Sequence, residues 1–143
     1  VFNPSKDDVR RFFCEAWSKA SLQMPLAPIE VIAVDWIREH PEYHQDLANA
    51  DVAVAKTYSP ESGQTNPFLH LSMHLSIEEQ VSIDQPPGIR DAFQRLAQRL
   101  DDRHEAMHEV MECLAEALWR SQREQTPIDA QAYLEAVRIR ATR

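Results

Sequence analysis

Glycine is almost missing from this chain, with two residues in 143. Tight hairpins draw on glycine for their left-handed positions, so a meander of strands joined by short turns is excluded. Runs of β-branched residues are also few, whereas Ala, Leu, Glu, Gln and Arg are plentiful, a composition that favours helix. Cysteine is scarce too. Cys14 and Cys113 lie in apolar helical patterns and form no C-x-x-C pair, so they read as small buried residues of a reducing compartment, not as a disulfide framework. No apolar run approaches the roughly 20 residues of a membrane span, and no charged n-region leads into an apolar h-region. A cytoplasmic protein with no membrane partner is expected. Lys and Arg number 15 against 23 Asp and Glu, for a net charge of -8. Gripping phosphates requires concentrated cations, so no nucleic-acid partner is expected, and the tail from Arg138 to Arg143 reads as a solvated helix end. A glycine-rich phosphate loop, a His-Glu-x-x-His string and a G-x-S-x-G elbow are all absent.

What is present is helical punctuation. Ser5 to Asp8 forms a capping box ahead of Val9, Phe12, Phe13, Ala16, Trp17 and Ala20 at helical spacing. Pro28 opens a second helix with Ile29, Ile32, Ala33, Trp36 and Ile37 inward. Pro41 forces a restart at His40 and opens a short helix through Leu47. From Asn49 to Thr65 the chain turns polar, with Thr57 to Gly63 its longest irregular segment. Thr65 or Asn66 then caps a helix that starts at Pro67 and runs toward Ile83; apolar around most of its circumference, it is the central one. A break at Asp84 to Gly88 precedes a helix from Ile89 to Leu100. Asp101 or Asp102 caps the next, with Met107, Met111, Leu114, Ala115, Leu118 and Trp119 inward, and Thr126-Pro127 starts the last. The expectation is a single all-α domain over residues 1–143, a bundle of five to six helices around a buried His/Glu cluster.

That cluster comes from spacing. All six histidines fall into three His-x-x-x-His pairs, at His40 and His44, His70 and His74, and His104 and His108, and the last two pairs continue at the same interval to Glu78 and Glu112. Residues four apart lie on one helix face about 6 Å from each other, so two imidazoles there can close on one metal ion. The helix rises about 12 Å from His70 to Glu78, too far for one ion to take all three residues. Two arrangements fit: four histidines on one ion with the glutamates orienting them, or Glu78 and Glu112 completing a dinuclear site. Mixed nitrogen and oxygen donors favour iron or manganese, and zinc suits a site of few ligands with an open position. His70, His74, Glu78, His104, His108 and Glu112 are therefore the candidate metal ligands, with His44 a further one and His40 either ligand or cap.

The leading functional expectation is a metal-binding protein, with dinuclear redox or oxygen handling as its extension and the Thr57 to Gln64 loop controlling access for a small-molecule substrate that the residues do not name. Two others stand beside it: a non-catalytic interaction protein with a buried histidine network, and a mononuclear zinc-dependent hydrolase or transferase. Exposed apolar positions on the first and last helices permit a homodimer.

The strings Asn66 to His74, Ile83 to Arg90 and His104 to Leu114 resemble a group of bacterial proteins known only as a domain of unknown function. The resemblance runs from Phe2-Asn3-Pro4 to Tyr133-Leu134-Glu135 and implies a bacterial source and no particular activity. In ligand chemistry alone, the histidines and carboxylates on helices are similar to hemerythrin-type bundles, although the His-x-x-x-Glu and His-x-x-x-x-Asp elements of that family are not reproduced in its usual order.

Overall fold

The computed structural model describes residues 5–58 and 66–142, and among these every regular element is helical. The sequence has seven α-helices there: α1 (Lys6–Ser21), α2 (Pro28–Arg38), α3 (Ala50–Ala55), α4 (Pro67–Ile83), α5 (Ile89–Leu100), α6 (Arg103–Glu124) and α7 (Ala130–Thr142), with a 3-10 turn at Pro41–Tyr43 between α2 and α3. The chain divides into two compact units, Val1–Leu75 and Ser76–Arg143. No described helix is long and apolar enough to cross a membrane.

In the first unit α1 packs against α2 and α3. Ser5 accepts from the Asp8 amide and Asp8 reaches back to the Ser5 amide, the reciprocal cap that the sequence announces. Phe13, Cys14 and Ala16 bury one stripe of α1, and Ala33, Val34, Trp36 and Ile37 bury one stripe of α2. Ile29 and Ile32 do not join them, being 55% and 39% exposed. Within the polar stretch Asn49 accepts from the amides of Asp51 and Val52 and starts α3. The far end of α3 is held by Arg10, which is buried and donates to the carbonyls of Ala53 at 2.7 Å and Lys56 at 2.6 Å while lying over the rings of Tyr58 and Phe68. A guanidinium suits this place because a helix C-terminus carries unsatisfied carbonyls and partial negative charge. Of the loop expected to control access, Ser59 to Gln64 lie outside the described residues.

In the second unit α5 packs on both α6 and α7, and α6 on α7. Ile89, Ala92, Phe93 and Leu96 give α5 its single apolar stripe, facing buried Met107, Val110, Cys113 and Leu114 of α6 and Tyr133, Leu134 and Val137 of α7. Asp102 caps α6 through the Glu105 amide. Trp119 and Leu118, expected inward, are 57% and 36% exposed, and Arg123 covers the Trp119 ring at 4.4 Å. The last helix begins at Ala130 and not at Thr126-Pro127, because Asp129 takes the capping role by accepting from the Ala132 amide.

Scarcity of glycine leaves its mark on the helix ends. Gln23, Asp84, Asp101 and Gln125 follow α1, α4, α5 and α6 in the left-handed region, with φ between 51° and 58°. This conformation closes a helix by turning the next amide back onto an earlier carbonyl, as in the Thr126 amide on Ser121 at 3.1 Å. For any residue with a Cβ it costs about 1 kcal/mol or more. Asp84 recovers part of that by accepting from the amides of Gly88 and Arg90, whereas Gln125 is exposed. Gln125→Gly is therefore expected to stabilise the protein by about 0.5–1 kcal/mol in urea unfolding, and a loss of stability would contradict this view of the α6 terminus.

Candidate metal centre

The central helix is built for burial of its first half. Asn66 accepts from the amides of Phe68 and Leu69, Pro67 occupies the first turn where its missing N–H costs nothing, and Phe68 and Leu71 are buried. His70 and His74 follow one turn apart on the same face, His74 fully buried. The third member of this group is His40. It stands after the last turn of α2 with φ -128° and ψ 69°, outside the helical region that a following proline disfavours.

These three rings converge. His70 Nε2 lies 3.1 Å from His40 Nε2 and 3.1 Å from His74 Nε2, with ring centroids 4.7 and 4.8 Å apart and near-perpendicular planes. Aromatic rings fix the orientation of the trio: Trp36 stacks on His74 at 3.9 Å and Tyr43 on His40 at 5.1 Å. His40 Nδ1 is 2.8 Å from the Trp36 carbonyl. A carbonyl only accepts, so Nδ1 carries the proton and, in the neutral ring, Nε2 presents a lone pair to the other two histidines.

In the second unit His104 and His108 repeat the pattern on α6, with Nε2 atoms 3.1 Å apart and rings 4.4 Å apart at 66°. Two nitrogens bound at about 2.1 Å to one ion, with an angle of about 90–110° between them, stand about 3.0–3.4 Å apart. Both sets of separations fall in that range. His40 and His74 in the first unit, and His104 and His108 in the second, offer nitrogen atoms that could hold a metal ion.

The remaining candidates are placed otherwise. Glu78 meets Arg103 through two parallel contacts, Oε1 to Nη1 at 2.8 Å and Oε2 to Nη2 at 3.0 Å. Glu112 accepts from Arg140 at 2.6 Å, and its side chain is 66% exposed. His44 donates from Nε2 to the Ile37 carbonyl at 3.0 Å and lies against Trp17, ring centroids 4.4 Å apart. Of the His40 and His44 pair, it is His40 whose ring meets His70. The signal for it was the stretch Trp36-x-x-x-His40-Pro41, in which a histidine one turn beyond a helical tryptophan can reach that residue's carbonyl before the proline diverts the chain.

The other polar groups of the interior do not offer a nucleophile. Burial pushes both cysteine thiols up, Cys14 helped by nearby Glu15 and Cys113 by Glu112 against the opposing Arg140. Burial and the hydrogen bond to Asp46, 2.8 Å long, push the Tyr58 phenol up to about 12.

Among the described residues every regular element is helical, which defines an all-α protein, with imidazoles at the end of α2 and on the first half of α4 in one unit and on α6 in the other. The chain belongs to the family described as a domain of unknown function, DUF1841, which it matches over residues 5–139. No curated protein and no solved structure matches it, and the looser likeness to hemerythrin-type bundles is not shown.

Because raised thiol pKa values and burial act in the same direction, both cysteines should be nearly inert toward a thiol reagent at about pH 8, where a free cysteine with pKa near 8.5 is already partly thiolate. Two equivalents should react promptly after denaturation. Rapid labelling of the native protein would contradict the placement of Cys14 and Cys113.

Proposed function

We propose that this protein binds a late first-row transition metal through neutral imidazoles, with His40, His70 and His74 as one donor set and His104 and His108 as a second, at one or two ions per chain. The observation that carries the proposal is the meeting of three Nε2 atoms, one of them already committed as a lone pair by the Trp36 carbonyl. A single cation is a partner that three such nitrogens can share. The Nδ1–H of His40 on a backbone carbonyl is also the outer contact that orients metal-bound histidines and raises their basicity.

Ligand chemistry narrows the ion. Glu78 and Glu112 would have supplied the oxygen donors of a dinuclear iron or manganese site, and arginines now hold both carboxylates. Nitrogen-only donors favour zinc, copper, nickel or cobalt over manganese. Bound with open positions, such an ion supplies Lewis acidity. The chain's contribution is to hold the donors rigid between Trp36 and Tyr43.

Metal analysis of protein purified without an affinity tag tests this reading. One or two equivalents per chain are expected, with a fall in melting temperature on chelation that re-added zinc reverses. His70→Ala and His74→Ala should each lower the content or weaken zinc binding by at least about tenfold, and His104→Ala and His108→Ala report on the second set. Trace metal only, together with a melting temperature indifferent to zinc, copper and nickel, would contradict the proposal and favour a buried hydrogen-bonded histidine network.

A further inference from the structure

We infer that two carbonyls in the last turn of α2, those of Trp36 and Ile37, sort His40 and His44 by tautomer, making the first a metal donor and the second a positioning residue that touches no metal. The inference rests on the proposed metal reading of the His40, His70 and His74 set, and its own evidence is a separate pair of contacts.

The end of α2 has carbonyls without helical partners, as every helix end does. The Trp36 carbonyl receives His40 Nδ1–H at 2.8 Å. The Ile37 carbonyl receives two donors, the His40 amide at 3.0 Å and His44 Nε2–H at 3.0 Å. An oxygen has no proton to give, so the two rings are locked in opposite forms: His40 protonated on Nδ1 with its Nε2 lone pair turned to His70, His44 protonated on Nε2. The His44 nitrogen that a spacing argument would offer to a metal is thereby consumed.

The consequence for His40 follows from the turn between them. Pro41–Tyr43 is a single 3-10 turn, closed by the Tyr43 amide on the His40 carbonyl and the His44 amide on the Pro41 carbonyl. His44 pins its far end to Ile37 and, through the stack on Trp17, to α1. Tyr43, inside that turn, lies flat against the His40 ring at an interplanar angle of 5°. Loosening His44 frees the turn, and with it the ring that holds His40 in line. The arrangement is an outer support for a ligand, of the kind whose removal weakens a site without emptying it.

Tautomers are read directly by two-bond proton–nitrogen correlation spectra of heavy-nitrogen-labelled protein at about pH 8, above the ordinary imidazole pKa of about 6.5. Assignment uses the His40→Ala and His44→Ala variants, and zinc is the added metal. The expected result is His44 protonated on Nε2 with resonances that zinc leaves in place, and His40 protonated on Nδ1 with an Nε2 resonance that zinc moves. In parallel, His44→Leu should weaken zinc binding by about tenfold at unchanged stoichiometry, and His44→Gln, whose amide can still donate to Ile37, should recover most of that loss. A zinc-shifted His44, a His44 protonated on Nδ1, a lost equivalent in His44→Leu, or unaltered zinc affinity there would each overturn the inference. The expected tautomers in a protein that takes up no zinc would overturn the metal reading alone and leave the sorting of the two rings standing.

Discussion

A backbone carbonyl can accept a hydrogen bond and never give one, and the account of this protein depends on that constraint at Trp36. It fixes which nitrogen of His40 is protonated, and so which one faces His70. Everything near it conforms to the same requirement. His70 and His74 reach the point from one face of α4, Trp36 closes over His74, and Tyr43 lies against His40. His40 and His74 are each held by a contact on a side other than the shared one, which leaves their nitrogens little freedom to turn away. Such preorganisation is what lets neutral ligands bind a cation tightly, because the cost of ordering the side chains has been met in folding.

Side-chain donors close several helix ends of the scaffold. Helix C-termini in a chain with two glycines cannot all end on glycine, and cationic side chains take up some of the carbonyls instead. Arg10 does so for α3, and Arg90 does so for α4 by donating to Val81 and Ser82. At α2 the donors are imidazoles, His40 and His44. Helix termination and the orientation of the His40 ring are there the same interaction, so a change that frays the end of α2 should act on both.

Much of the architecture could be read from residues alone, because caps and prolines act locally. Ser5 with Asp8, Pro28, Asn66 with Pro67, and Asp102 each fix a helix start within a few residues. The short α3 escaped notice since six residues carry too little apolar periodicity to be seen, although Asn49 was in place to cap it. Histidines on α4 and α6 were legible for the same local reason: a spacing of four on a helix determines adjacency. Glu78 and Glu112 were not, because a carboxylate at that spacing has other suitors, and Arg103 and Arg140 stand 25 and 28 residues away. His40 stayed between ligand and cap because Pro41 destroys the helical geometry that the pattern assumes, while the ring reaches back to Trp36.

Family membership gives this chain relatives but no chemistry, so the imidazoles must speak for themselves. Their message concerns position more than reactivity: nitrogen donors at the separations a coordination sphere requires, and no accessible thiol nearby to compete as a soft ligand. The most direct test is a crystal structure of untagged protein with anomalous scattering measured on either side of the zinc, copper and nickel absorption edges. A single-element peak about 2.1 Å from Nε2 of His40, His70 and His74 is the predicted result. Rings turned so that those nitrogens stand apart, with no anomalous peak among them, would contradict the account.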